Sequence, residues 1–334
     1  MSFQRPRPYI ALSYAWGDTS DTVDIELNQC NFTVTSSLHG ALRAVREPDR
    51  DVLVWADAVC INQKNADERS EQVQKMYLIY READLVGIWL GPAADSSNHA
   101  IALILKLNEE GLDQEDVKRI IYSSFWERHF HALVDLFERD YWDRLWVVQE
   151  VNNAKRGMVL CGDNRTSWDK FVNVPRILST CEDDLQRHFL QRTRRDRSSY
   201  SFNLIDSGPM NLIPDGNTSL TDYLVNFRPR LASDPRDKLY GLLGILPTAI
   251  RERFNPDYES SPKSLYIDIV DYVLQTTGRL DIICNSSTPV ILQPDGRDGE
   301  YVFRGDAYVD GFMYGEAVDL WRKGKMETRT YTLR

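Results

Sequence analysis

The side chains able to do chemistry fall in three short clusters. The first is Ser13-Tyr14-Ala-Trp16-Gly17-Asp18, where a hydroxyl, two aromatic rings and a carboxylate follow a short apolar run. The second is Trp55-Ala-Asp57-Ala-Val-Cys-Ile-Asn62-Gln63, a carboxylate and two amides around an apolar step. The third is Trp142-Asp-Arg144-Leu-Trp146-Val-Val-Gln149-Glu150. Read as one helix, it sets Trp142, Trp146 and then Gln149 or Glu150 along one face, because residues three and four apart are neighbours there. A carboxylate one turn beyond two indoles is partly desolvated, which suits it to stabilising charge. Each cluster also has a plainer reading. Tyr14 and Trp16 would simply cover a sheet end, Asp57, Asn62 and Gln63 would satisfy loop amides, and Trp146 with Glu150 would mark the edge of an ordinary amphipathic helix.

Other chemistries lack their residues. The chain has no G-x-x-x-x-G-K-[ST], G-x-G-x-x-G, H-E-x-x-H or G-x-S-x-G, which argues against P-loop, dinucleotide-fold, zincin and α/β-hydrolase chemistry. His129-Phe-His131 has a spacing that ligates metal from a strand, but its surroundings read as helical and no metal site is expected. The five cysteines (Cys30, Cys60, Cys161, Cys181, Cys284) form no C-x-x-C pair and are expected to be buried, reduced thiols. A net charge of −10 disfavours a nucleic-acid backbone as partner, despite the short basic run from Arg192 to Arg197. No run of about 18 apolar residues exists, so no membrane span is expected. The opening Met1-Ser-Phe-Gln-Arg-Pro-Arg-Pro lacks an apolar signal segment, which predicts a cytoplasmic chain.

The elements that must carry these clusters are legible over the first half. Tyr9–Tyr14, Asp51–Ala56, Leu85–Leu90 and Gly157–Cys161 are short apolar runs of the kind buried in a parallel sheet. Val23 to Val34 alternates and suits an edge hairpin turning at Asn28-Gln29. Ser36 or Ser37 would cap a helix reaching Arg46, and Asn65 with Glu68 forms a capping-box pattern before Val73, Met76, Tyr77, Tyr80 and Ala83. Residues 100 to 138 read as an irregular helical insertion, and Tyr141 to Ala154 as one further helix. Strands separated by helices predict an α/β fold, a mainly parallel sheet flanked by helices. The length of 334 residues suggests two parts. The division falls near 165, with residues 1–165 as the α/β unit and 166–334 as a mixed α+β companion of unknown role. That companion reads as helical, then as short β-strands from Leu280 onward.

Taken together, Leu12-Ser-Tyr-x-Trp-Gly17, Trp55-x-Asp-Ala-x-Cys-Ile-Asn-Gln63 with Glu68-Arg69, Trp89-Leu-Gly91 and Arg144-x-Trp146-x-x-Gln-Glu150 resemble the fungal heterokaryon-incompatibility (HET) domain. The resemblance covers about residues 9 to 162. Asp234-Pro-Arg-Asp-Lys-Leu-Tyr-Gly-Leu-Leu-Gly244 and Gly305 to Glu316 look like the tail of such proteins, with Gly241 where Ala is common and Asp310 where His is. HET domains are in turn distantly similar to Toll/interleukin-1 receptor (TIR) domains, which implies a TIR-like, flavodoxin-like sheet. By that likeness Trp146-Val-Val-Gln-Glu150 resembles the Trp-x-x-x-Glu of TIR enzymes, making Glu150 the candidate catalytic carboxylate for cleavage of NAD. Ser13, Tyr14, Trp16, Asp18, Asp57, Asn62, Gln63 and Trp146 would bind that substrate, with no cofactor besides. The family implies non-self recognition leading to programmed cell death, a homo-oligomer formed through the HET domain, and an upstream incompatibility or receptor protein as partner. The other function it allows is a non-enzymatic death-signalling module acting by self-association.

Overall fold

The computed structural model describes residues 7–193, 204–205, 208–214 and 219–278, with four short strand segments between 292 and 313. Its centre is a five-stranded sheet in the order β4-β1-β5-β6-β7. The strands are β1 (Ile10–Tyr14), β4 (Val54–Trp55), β5 (Leu85–Trp89), β6 (Gly157–Cys161) and β7 (Asn164–Ser167). All pairings are parallel except β6 with β7. The four parallel strands therefore lie in the order second, first, third, fourth. That is the flavodoxin-like arrangement, whose direction of winding reverses between the first and third strands. Ligand crevices open beyond the carboxyl ends of the strands at that point, and β1 ends there with Ser13 and Tyr14.

Alternation along β1 assigns its side chains to opposite faces. Ala11 joins a large core with α3 (Ala66–Glu82), α4 (Ser97–Leu107), α6 (Glu127–Phe137) and α8 (Trp168–Ser179). Leu12 and Tyr14 join a smaller core under α1 (Ser36–Val45), reached also by Val34. Helices thus cover both faces of a mainly parallel sheet, as the sequence predicts. The region read as an insertion is integral to this core: Ile104, Leu133 and Leu136 are at most 1% exposed.

Several elements differ from their expected form. The hairpin β2 (Thr22–Leu27) and β3 (Cys30–Thr35) turns at Asn28 and Gln29, both at positive φ, but makes its own two-stranded sheet. Thr35, not Ser36 or Ser37, caps α1. Of the run 51–56, only Val54 and Trp55 are in register with β1, with the Leu53 carbonyl accepting from the Ile10 amide at 2.9 Å, and the chain then enters the short helix α2 (Asp57–Cys60). Asn65 caps α3 through the Glu68 amide, yet Glu68 turns its carboxylate to the amide of Asn62, so the box is not closed. β7 escapes the sequence because Asn-Arg-Thr-Ser carries no apolar pattern. Cys161 and Cys181 are buried as expected, whereas Cys30 and Cys60 are exposed.

The largest correction concerns Tyr141–Ala154, which is not one helix. A 3₁₀ turn at Asp140–Asp143 is followed by an extended Arg144 and then by α7 (Val147–Asn152). The cause lies far along the chain. Leu231 pairs with Arg144 as an isolated parallel bridge: its amide donates to the Asp143 carbonyl at 2.6 Å, and its carbonyl accepts from Leu145 at 3.0 Å. Backbone groups that a continuous helix would satisfy internally are satisfied by this bridge instead. Trp142 consequently leaves the face of Trp146 and Glu150 and packs in the core.

Beyond residue 165 the chain adds α8, α9 (Glu182–Thr193), α10 (Leu220–Asn226), α11 (Asp237–Tyr240), α12 (Thr248–Arg253) and α13 (Pro262–Thr277). Leu239, Leu243, Ile250, Leu265 and Ile269 share one buried cluster with Tyr80 and Val148, so the core runs across residue 165. Two short antiparallel pairs, Leu292–Pro294 with Tyr301–Phe303 and Tyr308–Val309 with Phe312–Met313, match the expected terminal β-hairpins. Most of the basic run 192–197 and much of the tail motif 305–316 lie outside the described residues.

The join between the halves is tight at Gly244, whose amide donates to Gln149 Oε1 at 3.2 Å. A Cβ there would stand 2.5 Å from Gln149 Oε1 and 2.8 Å from Tyr77 Cβ. Gly244→Ala is therefore expected to lower the stability of the whole chain by about 1–3 kcal/mol. Urea denaturation followed by tryptophan fluorescence measures this, and an unchanged midpoint would contradict the packing described.

Candidate functional site

Glu150 sits in the first turn of α7 and is only 3% exposed. Ser13, on the face of β1 that looks toward α7, donates its hydroxyl to Glu150 Oε2 at 2.5 Å. Tyr141 lies 2.8 Å from Ser13 Oγ, and with the serine hydrogen spent on Glu150 it is the tyrosine that donates. The result is a relay from phenol to hydroxyl to carboxylate. Burial holds the Glu150 carboxyl at a pKa of about 7, with the charge of Asp57 acting in the same direction. The Arg144 guanidinium and the Ser13 hydrogen bond pull the other way. Burial likewise drives Tyr80 and Tyr141 well above the ordinary phenol range, so both stay neutral donors.

Next to this relay lies a second cluster. Tyr14 Oη donates to Asp57 Oδ1 at 2.8 Å, and Trp16 Nε1 donates to Asp57 Oδ2 at 2.9 Å. The backbone amide of Ala58 also donates to Oδ1, at 2.8 Å, and Gln63 Nε2 reaches the Asp57 carbonyl at 3.3 Å. Asp57 can gather these donors because the strand ends at Trp55 and the chain turns at once into α2. Arg144 closes the arrangement from the other side by donating Nη1 to the Tyr14 carbonyl.

A third cluster comes from the second half of the chain. Asp237, at the start of α11, accepts from Trp146 Nε1 at 3.1 Å and from Tyr258 Oη at 2.5 Å. Burial raises the Asp237 pKa against the pull of these bonds. Arg69 of α3 lies 3.7 Å from Asp237 and 3.9 Å from Asp234, and its guanidinium stacks 3.6 Å from the Tyr258 ring centre. Asp237, Tyr258 and Arg236 were not expected as site residues. The signal that could have found them is the charged opening of the segment Asp234-Pro-Arg-Asp237, with Arg69 already inside a quoted motif.

These clusters enclose a cavity of about 730 Å³, lined by Trp16 with Asp57, by Trp146 with Asp237, and by Arg69 and Arg144. Such a volume is in the range of small-molecule sites. Gln63 also lines it. Ser13, Tyr14 and Glu150 lie behind the wall rather than on it, joined to it through Asp57 and Arg144. Two expected residues are elsewhere. Asp18 is exposed and bonds the amide and hydroxyl of Ser20 at 2.8 and 2.7 Å. Asn62 is exposed and accepts from the Lys64 amide at 3.2 Å, which is the loop-ordering role. His129 packs its ring against His99, 4.8 Å between centroids, and no group of three metal-ligating side chains occurs among the described residues.

A carboxyl whose folded pKa exceeds its unfolded value binds its proton more tightly in the folded state. Stability is then full below the unfolded carboxylate value, falls as pH rises toward about 7, and stays lower above it. The size is on the order of 3 kcal/mol. Glu150→Gln cannot ionise, so its stability relative to the parent is expected to rise by most of this amount between pH 5 and pH 8.5. Equilibrium unfolding at the two pH values reads it out, and parallel curves for both proteins would refute the buried acid.

With this geometry established, comparison with known proteins is informative. Residues 9–150 match the family described as Heterokaryon incompatibility protein (HET). The chain is 28% identical over 320 residues to "Heterokaryon incompatibility protein 6, OR allele" of Neurospora crassa, an alignment covering 77% of this chain. It spans under half, 45%, of that relative's length. No solved structure matches the chain. The matched span contains β1, the Asp57 turn, α3 and the Arg144–Glu150 segment, that is, every element of the first two clusters and half of the third. Over residues 9–150, then, the chain is similar to the heterokaryon-incompatibility (HET) family.

Proposed function

We propose that this chain acts in heterokaryon incompatibility, the process named for its relative, and that its HET domain does so by releasing nicotinamide from NAD. One observation carries the reading: a buried carboxylate, Glu150, is bonded to Ser13 at the carboxyl end of β1, beside a cavity lined by two indoles and charges of both signs. NAD is a fitting substrate for such a lining, having aromatic rings at both ends, a cationic pyridinium and an anionic diphosphate. Heterolysis of the C1′–N bond leaves its electron pair on the pyridinium nitrogen, so nicotinamide departs neutral and needs no general acid. The ribosyl centre becomes oxocarbenium-like, a charge that an ionised carboxylate stabilises. Water then adds at C1′ and gives up a proton.

Glu150 reaches that centre only after the wall at Arg144 moves aside. Self-association of HET domains is the event we assign to that opening, in a cytoplasmic setting and under the control of an upstream partner. No described helix is long and apolar enough to cross a membrane. The burial of Glu150 also gives the other reading its support: a death-signalling module in which the relay only sets the shape of a surface for self-association.

Concentrated protein incubated with NAD is expected to release nicotinamide, and Glu150→Gln to lower the rate by about 100-fold or more, as loss of a charge-stabilising group does. Chromatographic quantitation of nicotinamide decides the matter. An unchanged rate in Glu150→Gln would sink the assignment of this carboxylate. If expression killed cells while no oligomer cleaved NAD, the module would be the correct reading.

A further inference from the structure

The three carboxylates and three guanidiniums around the cavity are not equally engaged. Asp57 accepts from Tyr14, Trp16 and Ala58. Asp237 accepts from Trp146 and Tyr258 on its two oxygens. Asp234 is held on both oxygens by the Arg236 fork, at 2.9 and 2.8 Å, and Arg236 directs Nη1 to the carbonyls of Tyr258 and Ser260. Every carboxylate oxygen facing this space therefore has a donor already.

Arg69 and Arg144 stand apart. Arg69 makes no side-chain hydrogen bond among the described residues; its carboxylate neighbours are 3.7 and 3.9 Å away, and its plane is fixed by stacking on Tyr258. Arg144 makes one side-chain bond, to the Tyr14 carbonyl. A guanidinium offers five N–H donors in a rigid fork that matches carboxylate and phosphate oxygens. Two such forks, positioned by their neighbours and largely unspent, line one cavity in which the acceptors are saturated. The unmet demand of the site is for an acceptor-rich anion. Alongside them, Trp16 and Trp146 have each committed the indole N–H to a carboxylate, which leaves their ring faces as what they can offer a ligand.

We infer that Arg69 and Arg144 are the anchor for a diphosphate, and that the cavity takes nucleoside diphosphates as a class, with the base on an indole face. The Arg69 half of this anchor is held in place by Asp237 and Tyr258, so residues beyond 165 complete the site that the HET domain begins. This rests on the crevice being a nucleotide site but not on cleavage, and binding tests it separately.

Calorimetric titration of the full chain with ADP, ADP-ribose, AMP and adenosine supplies the test. ADP and ADP-ribose are expected to bind about tenfold or more tightly than adenosine, with AMP between them and the advantage shrinking as salt rises. Arg69→Gln should cost about tenfold or more toward ADP while leaving adenosine unchanged. Arg69→Lys should recover only part of the loss, because an ammonium lacks the fork. Thermal unfolding of each variant shows that it is folded, and Arg144→Lys repeats the test from the opposite wall. Adenosine binding as tightly as ADP, no binding of either, or an Arg69→Gln variant that is folded and binds ADP like the parent would each overturn the assignment. Should ADP bind as stated while NAD is never cleaved, the diphosphate anchor stands and the hydrolytic reading falls.

Discussion

A carboxyl group taken out of water is the constraint around which this fold is arranged. Leaving an ionised carboxylate in an apolar interior costs several kcal/mol unless hydrogen bonds and counter-charge offset it. Glu150 receives both, from different parts of the chain: a hydroxyl from β1, a phenol behind it from the 3₁₀ turn, and the field of Arg144. These can converge only if α7 begins after Arg144 rather than before it. A continuous helix would keep Arg144 and Glu150 on a regular spiral. It could not send the guanidinium to the Tyr14 carbonyl while turning the carboxylate onto Ser13. The break at Arg144 is thus a requirement of the relay, and the backbone of Leu231 satisfies the amide and carbonyl that the break exposes.

That dependence ties the two halves of the chain together at the site itself. Each wall of the cavity repeats one device, an indole N–H fixed by a carboxylate: Trp16 with Asp57, and Trp146 with Asp237. The first pair is made within the span that matches the HET family. The second pairs an indole of that span with a carboxylate nearly a hundred residues later. Gln149 is tied to Gly244 in the same manner, so two adjacent residues of α7 are partnered with each half of the chain in turn. The shared core across residue 165 has the same logic, since apolar packing holds α11 where its carboxylate is needed.

The parallel strands and most helices were legible in the sequence because their signals are local. Apolar runs bounded by Gly or Pro, a capping Asn65 and helical spacing through Val73, Met76 and Tyr80 each act over a few residues. Ser13, Tyr14 and Asp57 were legible for the same reason, since all three lie at strand ends. What stayed hidden was decided at long range. The 141–154 segment has helical spacing throughout, and only pairing with Leu231 breaks it. Asp18 and Asn62 have the composition of ligand groups, but nearby Ser20 and Lys64 amides claim them first, as short polar loops tend to do. Asp237 and Arg69 are far apart in the chain, and nothing in either neighbourhood announces the other.

The burial of Glu150 couples its charge to the shape of the site. While the wall at Arg144 is closed, desolvation favours the protonated acid, and in the proposed reaction a neutral acid would give a ribosyl cation little stabilisation. Opening the wall hydrates the group and lets its pKa relax toward the ordinary carboxylate range, so ionisation and opening favour each other. A cationic ring arriving in the cavity acts in the same direction as water, because it too favours the charged form. At a pKa of about 7 the closed state holds only part of its Glu150 population ionised at neutral pH. In the proposed reaction the charge would develop where the wall has moved and a cation is present, which would tie ionisation of Glu150 to the arrival of substrate.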